Sequence, residues 1–156
     1  YHLDGVIHFP KDHDRILTRI SAQIGCLQLR KYDQIINNRI NNSKIYESEL
    51  IDSSLIQKPK IIDGSTFSHY PILVSAKSAI RDNMLRKGVE CGEIIQYSIP
   101  ELESYGKYVS KRFPAAAIAS KSVINLPINY SSKQTQRICK LFNQVISDLE
   151  FSKNAI

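Results

Sequence analysis

The sequence predicts an α+β domain in which helices pack on a small, mostly antiparallel or mixed sheet, preceded by one long helix. Three observations carry that prediction. Apolar residues recur at helical spacing over 19–51 and again over 131–149. Between these stretches lie short apolar runs bounded by turn residues, too brief for helices. The resulting order of long helix, strand, helix, strand, helix, strand, helix is most economically satisfied by helices layered on one sheet.

At 156 residues the chain forms one domain, long enough to bury a core. It divides into an N-terminal arm (1–18), a long connecting helix (19–51) and an α/β part (66–149). In the arm, Val6-Ile7-His8-Phe9 before Pro10 reads as a strand or extended segment. His2, His8 and His13 stand there beside Asp4, Asp12 and Asp14, but their spacing fits no helical or hairpin ligand pattern, so no metal site is predicted.

Over 19–51, Ile20, Ile24, Leu27, Ile35, Ile36, Ile40 and Leu50 form one apolar stripe, with Asn, Arg and Lys opposite. Gly25 inside it costs about 1 kcal/mol against Ala, which predicts another element packed closely there. Residues 52–65, with Pro59 and Asp63-Gly64, read as a polar break. Tyr70-Pro71-Ile72-Leu73-Val74 reads as a strand. Ser75 is then a helix N-cap, Ala79, Ile80, Met84 and Leu85 supply an inner face, and Gly88 stops the helix.

Val89 to Tyr97 is a second strand candidate, followed by a loop with Pro100, Tyr105, Gly106 and Tyr108. Phe113-Pro114 opens a short Ala-rich helix, proline sitting where its missing N–H is harmless. Val123-Ile124-Asn125-Leu126-Pro127 is a third strand. Ser131 and Gln134 have capping-box spacing ahead of Ile138, Leu141, Phe142, Val145, Ile146 and Leu149, a helix with one buried face.

The totals exclude several classes. No apolar run approaches the roughly 20 residues of a membrane span, and no signal-type leader is present. The chain opens on Tyr1 rather than Met, as a piece of something longer would. Cys26, Cys91 and Cys139 are too widely spaced for a disulfide framework or a paired-cysteine zinc site, so a reducing cytoplasm is expected. The formal charge of +6 reads as scattered surface charge, with pairs such as Arg30-Lys31 and Arg86-Lys87 at helix faces or ends. No nucleic-acid partner is expected from it.

The stretch Arg19-Ile20-Ser21-Ala22-Gln23-Ile24-Gly25-Cys26-Leu27-Gln28-Leu29, followed by Tyr32-Asp33, Asn38-Arg39 and Tyr46, resembles the Arg-Met-Ser-x-x-Gln-Ala-Ala-x-Gly-x-x-Gln-Leu helix of one enzyme family. That family is the pyridoxal-phosphate-dependent sugar aminotransferases of the DegT/DnrJ/StrS type. The resemblance extends over roughly 17–149. Leu85-Arg86-Lys87-Gly88-Val89-Glu90-Cys91-Gly92 is similar to the Leu-x-x-x-Gly-Ile-x-Thr-Gly turn. Phe113-Pro114-Ala115-Ala116 through Leu126-Pro127-Ile128 resembles Phe-Pro-x-Ala…Leu-x-Leu-Pro, and the Ser131 helix resembles the closing helix.

The resemblance implies the small domain of an aspartate-aminotransferase-like fold, with the cofactor domain lying before residue 1. It implies an activity that moves an amino group, usually from glutamate, to a nucleotide-linked keto-sugar. Pyridoxal phosphate (PLP) would be the cofactor, held by a lysine of the large domain and serving as electron sink. A homodimer with shared active sites is implied, in which Arg19 reaches the neighbour's cofactor phosphate. The companion asparagine position is held by Leu17, which cannot donate to a phosphate. Substrate contacts map to Glu93, Gln96, Tyr97 and, farther along, Tyr105; the family's frequent histidine in this region is missing. Lys121, Lys133 and Lys140 have no neighbour that would activate them, so no catalytic residue is assigned. The alternative is a free-standing, non-catalytic sugar-binding or interaction module of the same fold.

Overall fold

A computed structural model describes residues 16–94 and 96–154. The histidine–aspartate group and the Val6–Phe9 strand of the arm lie outside the described residues. The elements are α1 (Arg19–Leu29), α2 (Tyr32–Glu49), β1 (Ile56–Gln57), β2 (Tyr70–Val74), α3 (Lys77–Arg86), α4 (Pro114–Ser122), β3 (Val123–Leu126) and α5 (Ser132–Asn154). Two short 3-10 turns, Ile99–Glu101 and Glu103–Tyr108, lie between α3 and α4.

The three strands form one antiparallel sheet in the order β1-β2-β3, with Ile56 opposite Val74 and Ile72 opposite Ile124. Tyr70, Ile72 and Val74 of β2 are buried in alternation, whereas every residue of β3 is buried. α2 packs along α5, α3 against α5 and β3, and α4 against β2. Tyr46, Tyr70, Ile72, Ile80, Met84, Ile124, Phe142 and Ile146 make the fully buried centre.

Several local expectations hold. Gly88 ends α3 at φ +79°, with its N–H donating to Leu85 O (2.9 Å) and that of Val89 to Met84 O (2.9 Å). Pro114 is the first residue of α4. The capping box before α5 is reciprocal: Gln134 N–H donates to Ser131 Oγ (3.4 Å) and Ser131 N–H to Gln134 Oε1 (3.1 Å).

Six expectations are corrected. The long helix is two helices, because Lys31 N–H donates to Gln28 O (3.0 Å), a tightened three-residue step, and regular bonding resumes only at Ile35 N–H to Lys31 O (3.0 Å). The break re-aims the stripe: Ile20, Ile24 and Leu27 are exposed, and the buried residues of α2 are the polar Asn42, Ser43 and Tyr46. Ser75 does not cap α3, whose cap residue is Ala76 without a side-chain bond; the Ser75 N–H instead donates to Leu55 O (3.0 Å) beside the β1–β2 pairing. Of the α3 inner face, Ile80 and Met84 are buried while Ala79 and Leu85 point outward.

The fourth correction is the strand expected at 89–97, of which, among the described residues, a single bridge forms. Gly92 and Asn125 exchange two backbone hydrogen bonds of 2.8 Å, and the chain bends away at Ile94. The fifth is β1, which lies inside the stretch read as a polar break. Its two residues become a strand by pairing with β2, a partner remote in sequence. Nor does Gly25 meet a packed element: a Cβ there would find no atom within 4 Å.

Candidate functional site

The candidate residues 93, 96, 97 and 105 follow the Gly92–Asn125 bridge. Glu93 comes first, held to α3 by both carboxylate oxygens. Lys77 Nζ lies 3.1 Å from its Oε1 and the Arg81 guanidinium donates to its Oε2 at 2.8 Å. Arg81 also pairs with Asp82 (3.1 Å), and Lys77 Nζ donates to Ser120 O at the end of α4 (3.2 Å). Partial burial pushes the Glu93 carboxyl upward, but the hydrogen bonds and charges of Arg81 and Lys77 outweigh it and hold the acid below the ordinary carboxylate range. Glu93 and then Asp82 in turn push the Arg81 guanidinium above its ordinary range.

Glu93 and Gln96 line one groove of about 360 Å³, together with Arg81, Leu85, Glu90 and Cys91. Tyr97 and Tyr105 are half-buried and do not line it; Tyr105 belongs to the second 3-10 turn. Arg19 is the first residue of α1, exposed and outside this groove, as is Leu17. The structure therefore brings together two of the five residues read from the sequence.

Lys77 and Arg81 were missed, although they stand four apart on α3 and so share a face, the spacing at which a carboxylate can meet both. A second missed set lies on α2. Asn38 and Asn42 donate to Tyr130 O (3.1 and 2.7 Å), Asn42 also to Ile128 O (2.8 Å), and Arg39 to Asn129 Oδ1 (2.8 Å). These side chains tie the turn after β3 to α2, which gives the Asn38-Arg39 motif a structural role. Burial raises the Cys91 thiol to about 11. Burial, assisted by Glu49, raises Cys139 to about 12, so neither is a nucleophile near neutral pH.

The charge is also less scattered than expected. Residues 104–147 carry Lys107, Lys111, Arg112, Lys121, Lys133, Arg137 and Lys140 with no Asp or Glu, while the whole chain totals +6. Among the described residues, no three His, Cys, Asp or Glu converge as a metal site, and no helix is long and apolar enough to cross a membrane.

Among the described residues, the partly buried lysines each have the ammonium engaged: Lys58 with Asp52 and Leu50 O, Lys77 with Glu93 and Ser120 O, Lys87 with Gln144. An ammonium so engaged is not a free amine ready to form a Schiff base with PLP.

The fold has close counterparts. Residues 13–143 match the profile of the DegT/DnrJ/EryC1/StrS aminotransferase family. A sugar aminotransferase from Micromonospora echinospora superposes with a TM-score of 0.72 at 18% identity, over 85% of this chain and 36% of that one. A DegT/DnrJ/EryC1/StrS aminotransferase from Brucella abortus gives 0.74 at 16% identity, over 92% and 41%. A sugar aminotransferase described as putative from Streptococcus pneumoniae, in its apo form, gives 0.73 at 22%, over 88% and 37%. No curated protein sequence matches the chain. At these identities the superpositions establish the α+β fold of aminotransferases, and the chain spans 36–41% of the length of these solved structures. With the profile covering most of its length, the chain belongs to the DegT/DnrJ/EryC1/StrS aminotransferase family.

Proposed function

We propose that this chain is the small-domain part of a PLP-dependent aminotransferase that transfers an amino group from an amino-acid donor to a keto-sugar carried on a nucleotide. In this reading the lysine-bearing cofactor domain is a further stretch of polypeptide, and the chain by itself is catalytically incomplete.

The observation that carries the reading is the outward face of α1. Ile20, Ile24 and Leu27 are 70%, 54% and 55% exposed, and α1 has no buried residue. An apolar stripe at helical spacing on water calls for a covering surface. Family membership supports a cofactor domain as that cover.

Arg19 then reaches a cofactor phosphate shared between two subunits of a cytoplasmic homodimer. Glu93, Gln96, Tyr97 and Tyr105 contact the sugar, with Glu93 at the root of the loop that carries the others. The basic segment 104–147 suits the anionic nucleotide.

Two measurements test this. The purified chain is mixed with PLP and its visible spectrum recorded; a stable band from PLP bound to one of its lysines would overturn the incompleteness. The chain joined to its cofactor domain is assayed with glutamate and nucleotide-linked keto-sugars, and absence of turnover with every such sugar would overturn the substrate reading.

The second reading is a free-standing, non-catalytic sugar-binding or interaction module. Leu17, an apolar side chain where the family carries a phosphate-binding asparagine, favours it. Tight binding of a sugar by the chain alone, with no gain from the cofactor domain, would establish that reading instead.

A further inference from the structure

The described residues between β3's partner Gly92 and α4 have little regular structure to fix them: two 3-10 turns and no strand. Its two ends nevertheless converge on one side chain. Lys77, only 16% exposed at its side chain, contacts Glu93 where the segment begins (3.1 Å) and Ser120 O at the end of the helix it runs into (3.2 Å). Ser120 is itself buried, its hydroxyl donating back to Ala117 O (2.8 Å), so the carbonyl that Lys77 meets belongs to a fixed helical turn.

Glu93, 23% exposed, has its second oxygen on Arg81 (2.8 Å). Both carboxylate oxygens are thus engaged from α3, a rigid helix anchored by the buried Ile80 and Met84.

We propose that Lys77 and Glu93 form a staple that holds both ends of the 93–120 segment to α3 and thereby sets the position of Gln96, Tyr97 and Tyr105. In this role Glu93 and Lys77 are positioning residues, acting through the loop. Mutual support explains the arrangement. A half-buried carboxylate without its cations, or a half-buried ammonium without its acid, loses the charge-assisted hydrogen bonds that offset desolvation. The proposal deepens the reading above, since it assigns an anchor to the same loop, and it rests on that reading only for the substrate role of the loop.

The experiment is hydrogen exchange by mass spectrometry on this chain and its Glu93→Gln, Lys77→Met and double variants, comparing peptides within 96–113 with peptides of α2 and α5. Loss of a partly buried, hydrogen-bonded ion pair is expected to speed exchange in 96–113 by about five- to tenfold. Peptides of α2 and α5 should keep their rates. The double variant should fall short of the sum of the two single effects, because each single one already removes the Lys77–Glu93 contact, whereas Arg81–Glu93 and Lys77–Ser120 are each lost in only one of them. Lys77→Arg, which keeps the charge, should stay within about twofold of wild type and covers the case in which Lys77→Met fails to fold.

Unchanged exchange in Glu93→Gln, additive effects in the double variant, or acceleration spread equally over α2 and α5 would each overturn the staple. The readout is independent of transamination. A failed staple therefore leaves the aminotransferase reading standing, and a failed aminotransferase reading leaves the staple measurable.

Discussion

The ring of Tyr46 on α2 lies 4.8 Å from the ring of Tyr70 at the start of β2, tilted by 34°. Both side chains are buried, and their hydroxyls leave the pair in different directions: Tyr46 donates to Pro127 O and Tyr70 to Glu47 Oε2 (3.3 Å). Burial pushes both phenols well above the ordinary tyrosine range, so they stay neutral donors at any pH the fold survives. The pair joins the helical layer to the sheet and, through Pro127, to the turn after β3.

Tyr46→Phe keeps the ring and removes one buried donor, leaving Pro127 O without that bond; a loss of about 1–2 kcal/mol is expected. Tyr46→Ala removes the ring as well and should cost about 3–5 kcal/mol. Urea unfolding followed by circular dichroism measures both. Equal costs for the two variants would show that the ring contact contributes little.

Acid should release the Glu93 contact. Its folded-state acidity is held below the ordinary carboxylate range, so its contribution is fully present above that range and disappears as pH falls through the lowered value. Lys77 and Arg81 face it, and Asp82 shares Arg81. The midpoint difference between wild type and Glu93→Gln should therefore be constant from neutral pH to about 5 and shrink toward zero below the ordinary carboxylate range of about 4. A difference that grows on acidification has the wrong sign for this mechanism.

Gly25 is open on every side, so in this chain Gly25→Ala should stabilise α1 by about 0.5–1 kcal/mol, read as slower amide exchange in 19–29. If the proposed cofactor domain covers α1, the same change should instead weaken its docking there. A gain in both settings would place the cover elsewhere.

The face of α1 should be sticky in isolation. Replacing Ile20, Ile24 and Leu27 by Gln should lower binding of an apolar dye and shift sedimentation toward monomer, while the urea midpoint of the core moves by less than about 0.5 kcal/mol. A large loss of core stability would show that α1 packs on its own chain.

Several local features that close on themselves match the sequence reading. The Ser131–Gln134 box, Pro114 at the start of α4, Gly88 at the end of α3 and the runs at Tyr70–Val74 and Val123–Leu126 need only neighbours within a few residues or a period-two apolar pattern. The fold class followed from these elements and their order, and the family from the motifs they carry.

The site was half legible. Glu93 and Gln96 were found because the loop motif was, but Lys77 and Arg81 were passed over as ordinary helix surface.

What the sequence by itself determined is the later helices, the two longer strands and the kinship, because hydrophobic period, caps and turn residues act over one or two turns of chain. What only the tertiary structure decided is pairing. Ile56 became a strand and, among the described residues, the strand expected at 89–97 shrank to the Gly92 bridge, Ser75 gave its N–H to Leu55 rather than capping a helix, and Glu93 met cations on α3. Each of these depends on a hydrogen-bonding or charged partner brought close by folding, and the free energy of such a contact appears only once both groups have left water together.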